Sequence, residues 1–344
     1  MSLAGAVVAL IVLGLTAYAV LGGADFGTGV WDITAGTDER GGRMRHLIDS
    51  SMGPVWEANH VWLIFVLVVF WTSFPVAFGS VASTLYVPLF LAVIGIVLRG
   101  TAFAARGVAG AGRAQRGFGW VFAASSILTP FFLGAAVGGI ASGRVPVGNA
   151  AGDAITSWWN PTSVLVGVVA VLTGAHLAAV YLGADAARVG DEGLARAFRA
   201  RALGSGLASG AVALGGLLVL RQDARPLYDG LVGDALWLVA VSGVAGLATL
   251  ALVWRRALGI ARAAAAVAVG AIIWGWAVAQ SPDLLPGHIS IEDAAAGRPT
   301  LIAVLVSFGV GALVLVPSLA YLFRLVLDGR LAKDPTPDEP APLP

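Results

Sequence analysis

Two short stretches set proton-exchanging groups against long apolar runs. Gly22-Gly23-Ala24-Asp25-Phe26-Gly27-Thr28-Gly29 closes the first such run, and Pro54-Val55-Trp56-Glu57-Ala58-Asn59-His60-Val61-Trp62 opens the second. An ionisable group beside hydrocarbon is costly, so each is a candidate for function before it is a candidate for decoration. Glu57 and His60 are three residues apart and share one face of a helix. Trp56 and His60 are four apart, which sets the indole against the same face, and Asn59 adds a donor and an acceptor. A carboxylate and an imidazole in this setting suit a proton relay, because both titrate near neutral pH when partly desolvated.

Simpler roles exist for the same residues. Pro54 favours a helix start and acids favour the first turn, where the macrodipole is positive, so Glu57 also fits as a helix-start residue. Asp25 reads either as an inward, proton-exchanging carboxylate or as a residue ending its helix at the membrane surface. Arg99 and Arg106 read as snorkelling cations or as partners for Asp25 or Glu57. Glu57-Ala58-Asn59-His60 has the Glu-x-x-His spacing of di-iron bundles, but such a site needs a second copy and two more carboxylates, and no other Glu-x-x-His occurs. Of the four histidines only His60 and His176 fall near apolar runs, which gives no convincing haem-ligand set. The glycines around Asp25 follow no strand, so they do not form a nucleotide-binding turn. With no cysteine, disulfides, thiolate metal sites and c-type haem attachment are excluded.

The elements that must position these residues are membrane helices. The chain is 58% hydrophobic and 12% charged, with mean hydropathy +0.86, and soluble domains carry about 25% charged residues. A net charge of +1 argues against nucleic acid as a partner. A span needs about 20 apolar residues. Nine are predicted, at 3–22, 55–74, 78–99, 118–141, 162–182, 202–220, 235–254, 260–280 and 300–324, the second and third parted by a turn at Ser73-Phe74-Pro75. The basic residues of the connections alternate between few and many at every step, 17 on one side and 4 on the other. The positive-inside rule then places the N-terminus outside and the C-terminus in the cytoplasm. Residues 3–22 lack the basic start of a signal peptide. The segment 334–344, rich in Pro and acids, is predicted to be disordered. Ala19-Val20-Leu21-Gly22-Gly23-Ala24-Asp25 is echoed by Ala179-Val180-Tyr181-Leu182-Gly183-Ala184-Asp185. That echo suggests a single membrane domain over 1–330, built from a pseudo-repeat of 1–141 and 162–280 with a ninth helix at 300–324.

Together the two opening stretches, Gly23 to Gly29 and Pro54 to Ile64, resemble subunit II of the cytochrome bd-type oxygen reductases of prokaryotes. The similarity continues at Arg99 to Arg106, Thr129-Pro130 and the glycines up to Pro146, Asn160-Pro161, and the connection with Pro286 and Ser290. The resemblance implies an all-α integral membrane protein of nine transmembrane helices, arranged as two four-helix bundles plus one peripheral helix. It implies a plasma-membrane complex that oxidises quinol and reduces dioxygen to water with cytoplasmic protons. The partner would be a homologous subunit I that holds two b-type haems and one d-type haem, with small accessory subunits and lipid around it. This subunit would serve assembly, contribute a proton path and hold a structural quinone, without ligating haem. The family's two acids fall on Glu57 and Asp25. Its form Asp-Gly-Asn followed by Gln or Glu is here Glu57-Ala58-Asn59-His60, so His60 adds a titratable group. Glu57, Asp25 and His60 are thus the expected proton-transfer residues, with Trp56, Asn59 and Arg99 in support. A cation-coupled secondary transporter is the alternative reading, with Asp25 and Glu57 on the cation. A purely structural partner is a third.

Overall fold

The computed structural model describes residues 2–52, 56–108 and 112–327. Pro54 and the segment 334–344 lie outside these residues. Among the described residues nine helices are long and apolar enough to cross a membrane: Leu3–Ile33, Trp56–Ser73, Tyr86–Arg106, Arg113–Ala141, Pro161–Arg188, Glu192–Asp223, Leu236–Trp254, Leu258–Gln280 and Arg298–Ser318. The chain divides into two compact units, Met1–Ala296 and Gly297–Pro344. In the second, a single helix runs over Arg298–Leu327 with Pro317 inside it.

The first span departs from the expected 3–22. Helix α1 (Leu3–Ala17), capped by the Ser2 hydroxyl accepting from the Gly5 N–H at 3.0 Å, passes through a π-helical turn at Tyr18–Gly22. It continues as α2 (Gly23–Ile33). Glycine in a helix costs about 1 kcal/mol relative to alanine, and here close packing offsets that cost. A Cβ at Gly27 would stand 1.9 Å from the Gly174 carbonyl oxygen, so two backbones touch at this point. Asp25 therefore lies inside a continuous helix and does not end one.

The first connection holds a helix of its own, α3 (Glu39–Met52), whose Met44, Leu47, Ile48 and Met52 are buried against Ala102, Phe122, Leu182 and Phe198. Helix α4 (Trp56–Ser73) stops at Phe74, where Pro75 starts α5 (Pro75–Thr84), as the turn at these residues predicts. The third span then begins at Tyr86, in α6 (Tyr86–Val108), later than the expected residue 78. The reason is visible in α5: the hydroxyls of Ser80 and Ser83 accept from the backbone N–H groups of Gly148 and Ala150 at 3.0 and 2.8 Å. That ties α5 to the connection after α7 (Arg113–Ala141).

Helix α8 (Pro161–Arg188) lies at the centre of the first unit, packed against α2, α7, α9 (Glu192–Asp223) and the helix Leu258–Gln280. Asn160 caps it by accepting from the Ser163 N–H at 2.9 Å, and Pro161 fills its first position. Small residues let α7 approach closely: a Cβ at Gly138 would stand 2.5 Å from Ser163 Cα. A two-stranded hairpin, β1 (Asp283–Leu285) with β2 (Ile289–Ser290), turns at Gly287, whose φ of +74° suits glycine.

Candidate functional site

The polar centre of the molecule is built where α2, α4, α6 and α7 meet. Asp25, 8% exposed, accepts from the Asn59 side-chain amide at 2.5 Å. Arg99, 1% exposed, donates from Nη2 to the Asp25 backbone carbonyl at 3.0 Å and from Nε to Ser126 Oγ at 3.1 Å. Its guanidinium lies over Phe26 and Phe122, at 4.7 and 5.3 Å from their ring centroids. These contacts to the rings hold a desolvated cation in place by the ring quadrupoles. Thr28 donates to the Asp25 carbonyl at 2.6 Å, so the backbone oxygen of Asp25 is held from two sides. The carboxylate itself is met by Asn59. Of the pairings foreseen for Arg99, that with Asp25 is present through the carbonyl.

His60 belongs to an aromatic wall beside this centre. Its ring stands edge-on to Tyr18, Phe26 and Trp56, with centroids 6.1, 6.0 and 6.1 Å away. Its Nδ1 is 2.9 Å from the Trp56 carbonyl oxygen. Trp56 in turn lies against Phe103 and over the face of Gly100, where a Cβ would stand 3.2 Å from the indole. Glu57 is not drawn in. It sits on the exposed side of α4 in line with Val61, Ile64, Val68 and Trp71, and its side chain makes no hydrogen bond or ion pair to another described residue. The i,i+3 spacing from His60 therefore brings no bond between the two side chains.

A second polar cluster lies one helical stretch further along α2. Asp32, buried, accepts from Arg45 Nε at 2.9 Å and from Arg106 Nη1 at 2.5 Å, while Arg106 Nη2 also meets Asp49. Arg106 lies over Phe122, 4.4 Å from its centroid. Asp32 follows Asp25 by seven residues, two turns of one helix face, so extending the first span past Gly22 is what exposes it as a candidate. Burial raises the Asp49 carboxyl above its ordinary range, against the pull of Arg106. The folded chain thus holds this proton more tightly than the unfolded chain. Its contribution to stability is full below about pH 4 and is lost as pH rises through the raised folded value. The melting temperature of Asp49→Asn is accordingly expected to gain on that of the parent as pH rises from about 4 through the raised folded value.

His60 does not offer an iron porphyrin an open imidazole nitrogen, and His176 is held at one nitrogen. An axial ligand needs an imidazole nitrogen that faces open space. His60 is ringed by three aromatic side chains, with Nδ1 at a carbonyl and Nε2 buried. His176 Nδ1 is 3.0 Å from the Ala202 carbonyl, and α9 passes so close that a Cβ at Gly206 would stand 2.7 Å from the imidazole. Among the described residues no group of three or more His, Asp or Glu is arranged to hold a metal ion.

Comparison with known proteins follows the same outline. Residues 3–326 match the sequence model of the family described as cytochrome bd terminal oxidase subunit II. Over 114 residues, 33% of each chain, the sequence is 31% identical to cytochrome bd ubiquinol oxidase subunit 2 of Bacillus subtilis (strain 168). Over 129 residues it is 26% identical to cytochrome bd-I ubiquinol oxidase subunit 2 of Escherichia coli (strain K12), covering 38% of this chain and 33% of that one. The aligned part thus spans about a third of the length of these curated relatives. The fold is similar to a chain in the structure of bd oxidase from Geobacillus thermodenitrificans, with a TM-score of 0.75 and 25% identity over 95% of this chain and 99% of that one.

Proposed function

This chain belongs to the cytochrome bd terminal oxidase subunit II family, and from that premise we propose that it serves a quinol-oxidising, dioxygen-reducing membrane complex by passing protons toward a partner. The partner is a haem-bearing subunit I. It carries the b-type and d-type haems, which supply the electron and oxygen chemistry when bound there. This chain supports assembly and ligates no haem, a reading supported by the closed surroundings of His60. The basic residues favour an N-terminus outside and a C-terminus in the cytoplasm of a bacterial plasma membrane. The Gly-x-Asp echo between α2 and α8 supports reading 1–141 and 162–280 as a pseudo-repeat.

One observation carries the proton role: a carboxylate buried inside an apolar span, at Asp25, is bonded to the side chain of Asn59, two residues along α4 from the exposed Glu57. Asp25 is held ready by Asn59 and lies near a fixed positive charge on Arg99. Glu57 faces away from the chain, where it can exchange protons with water or with a partner's polar groups. A buried carboxylate with a side-chain donor and an exposed carboxylate nearby on the next span suit a relay. His60 borders the same cluster.

Glu57→Gln tests the reading in the assembled complex. Turnover is expected to fall by at least about tenfold with haem content unchanged. Unchanged turnover with unchanged haem sinks the relay, and loss of haem makes Glu57 a structural residue. The division of labour is checked by visible spectra: reduced b- and d-type bands are expected in the complex and absent from this chain purified alone.

A further inference from the structure

The charged cluster at Asp32 stands in register with the Asp25 centre. On α2, Asp25, Thr28 and Asp32 share one face. On α6, Arg99 and Arg106 are seven residues apart, and on α3, Arg45, Asp49 and Met52 follow at helical spacing. The three stripes meet at two levels. At the first, Met52 Sδ stands 2.8 Å from Thr28 Oγ1 and 3.9 Å from Arg99 Nη2. At the second, two turns or about 10 Å further along, Asp32 accepts from Arg45 and Arg106, and Asp49 accepts from Arg106. One ring joins the levels. Phe122, fully buried, lies under both guanidiniums, 5.3 Å from Arg99 and 4.4 Å from Arg106. The two cations therefore act on each other across hydrocarbon, where water screens them little.

The second level is balanced in charge: two arginines face two aspartates. Seating α3 is already done by Met44, Leu47 and Ile48, which are buried. The ion pairs lie partly in water, with Arg45 38% and Asp49 44% exposed. Half-exposed pairs add little stability. What their balance governs is the field at Arg99 and Asp25.

We propose that the cluster of Asp32, Arg45, Asp49 and Arg106 sets the proton affinity of the Asp25 centre through its net charge. These residues act on the proton through Arg99 and Asp25 and do not carry it. The inference rests on the proton-relay reading above. Its content is a sign. Without one aspartate the cluster keeps a surplus positive charge, which opposes a proton arriving at Asp25. Without one arginine it keeps a surplus negative charge, which favours that arrival. The titratable or charged groups that face the Asp25 centre are Tyr18 from the π-helical turn, His60 from α4 and Arg99 from α6. Ser126 of α7, Met52 of α3 and Gly174 of α8 meet it without charge. His46 bears on the cluster at Asp49.

The experiment follows turnover of the assembled complex against pH, with haem content checked in each variant. The reading is the pH at which turnover falls to half on the alkaline side, where a relay carboxylate runs short of protons. Asp32→Asn is expected to lower that pH by about one unit, the effect of one charge about 10 Å away at an effective dielectric constant of about 20. Asp49→Asn, at the exposed rim, is expected to lower it by roughly a third of a unit, and Arg45→Gln to raise it by about as much. Arg45→Lys keeps the charge and is expected to leave it at the parent value. A cluster that only seats α3 would change melting temperature without opposite shifts of the pH midpoint. The proposal is overturned if the aspartate and arginine variants move the midpoint in the same direction, or not at all. Asp49→Asn and Arg45→Gln carry this test alone if Asp32→Asn does not assemble. Asp25→Asn separates the two readings. If it slows turnover while the midpoints stay fixed, only the tuning role falls; if it leaves turnover at the parent level, the relay reading and this inference fall together.

Discussion

Arg99→Met is expected to destabilise the chain by about 3–5 kcal/mol, the range seen when one member of a buried charged network is removed. Methionine fills most of the same volume, so the loss is electrostatic and not a cavity. The substitution removes the donors to the Asp25 carbonyl and to Ser126 Oγ. It also removes the cation between Phe26 and Phe122, and it leaves the Asp25 carboxylate buried without a nearby positive charge. Thermal melting of the purified protein gives the measure. The double variant Arg99→Met with Asp25→Asn should recover part of the loss, because the stranded carboxylate is then gone. If Arg99→Met melts with the parent, Arg99 is a snorkelling cation after all.

The second large effect comes from a methyl group. Gly27→Ala is expected to cost about 3 kcal/mol or more, at the upper end of overpacking, and to abolish recovery of folded protein. Its Cβ would meet the Gly174 carbonyl oxygen at 1.9 Å and the carbonyl carbon at 2.2 Å. Neither belongs to a side chain that can rotate aside, so α2 and α8 must separate, and the Asp25 centre built on α2 shifts with them. Gly23→Ala in the same helix is the matched control. Its nearest neighbour would be Leu177 Cδ1 at 3.9 Å, an ordinary contact, so it should be neutral or stabilising by up to about 1 kcal/mol from helix propensity. Equal losses in the two variants would mean that close helix approach at Gly27 is not what limits the fold.

Legibility in the sequence followed the scale of each signal. The nine spans stand out because apolar runs of that length have no other stable home, and the basic residues mark their ends independently. Asp25 and Arg99 stand out as polar exceptions to those runs. The continuation of the first span through Gly22–Gly29 does not, because local propensity argues against four glycines in a helix and the compensating contact with Gly174 is 147 residues away in the chain. Asp32 was lost with it, and so was the role of Arg106. Helix α3 is masked by its charge, since five apolar or small buried positions suffice to seat it. The outward aim of Glu57 cannot be read from an i,i+3 spacing, which gives a shared helix face but not what that face meets.

Arg99 has one more effect, on electrical insulation. A membrane protein with charged groups in its interior risks conducting metal cations down the membrane potential. The guanidinium beside Asp25 is fully buried, tied to backbone and hydroxyl, and stacked between two rings, so it does not swing away. A second unit charge arriving within about 4 Å of it meets a repulsion of about 4 kcal/mol at an effective dielectric constant of about 20. A proton meets the same repulsion but offsets it with a covalent O–H bond to the carboxylate, whereas sodium or potassium has only electrostatic attraction to set against it. The same residue that steadies the site thus biases the interior against ion leakage, and it weighs against reading Asp25 as the cation seat of a transporter.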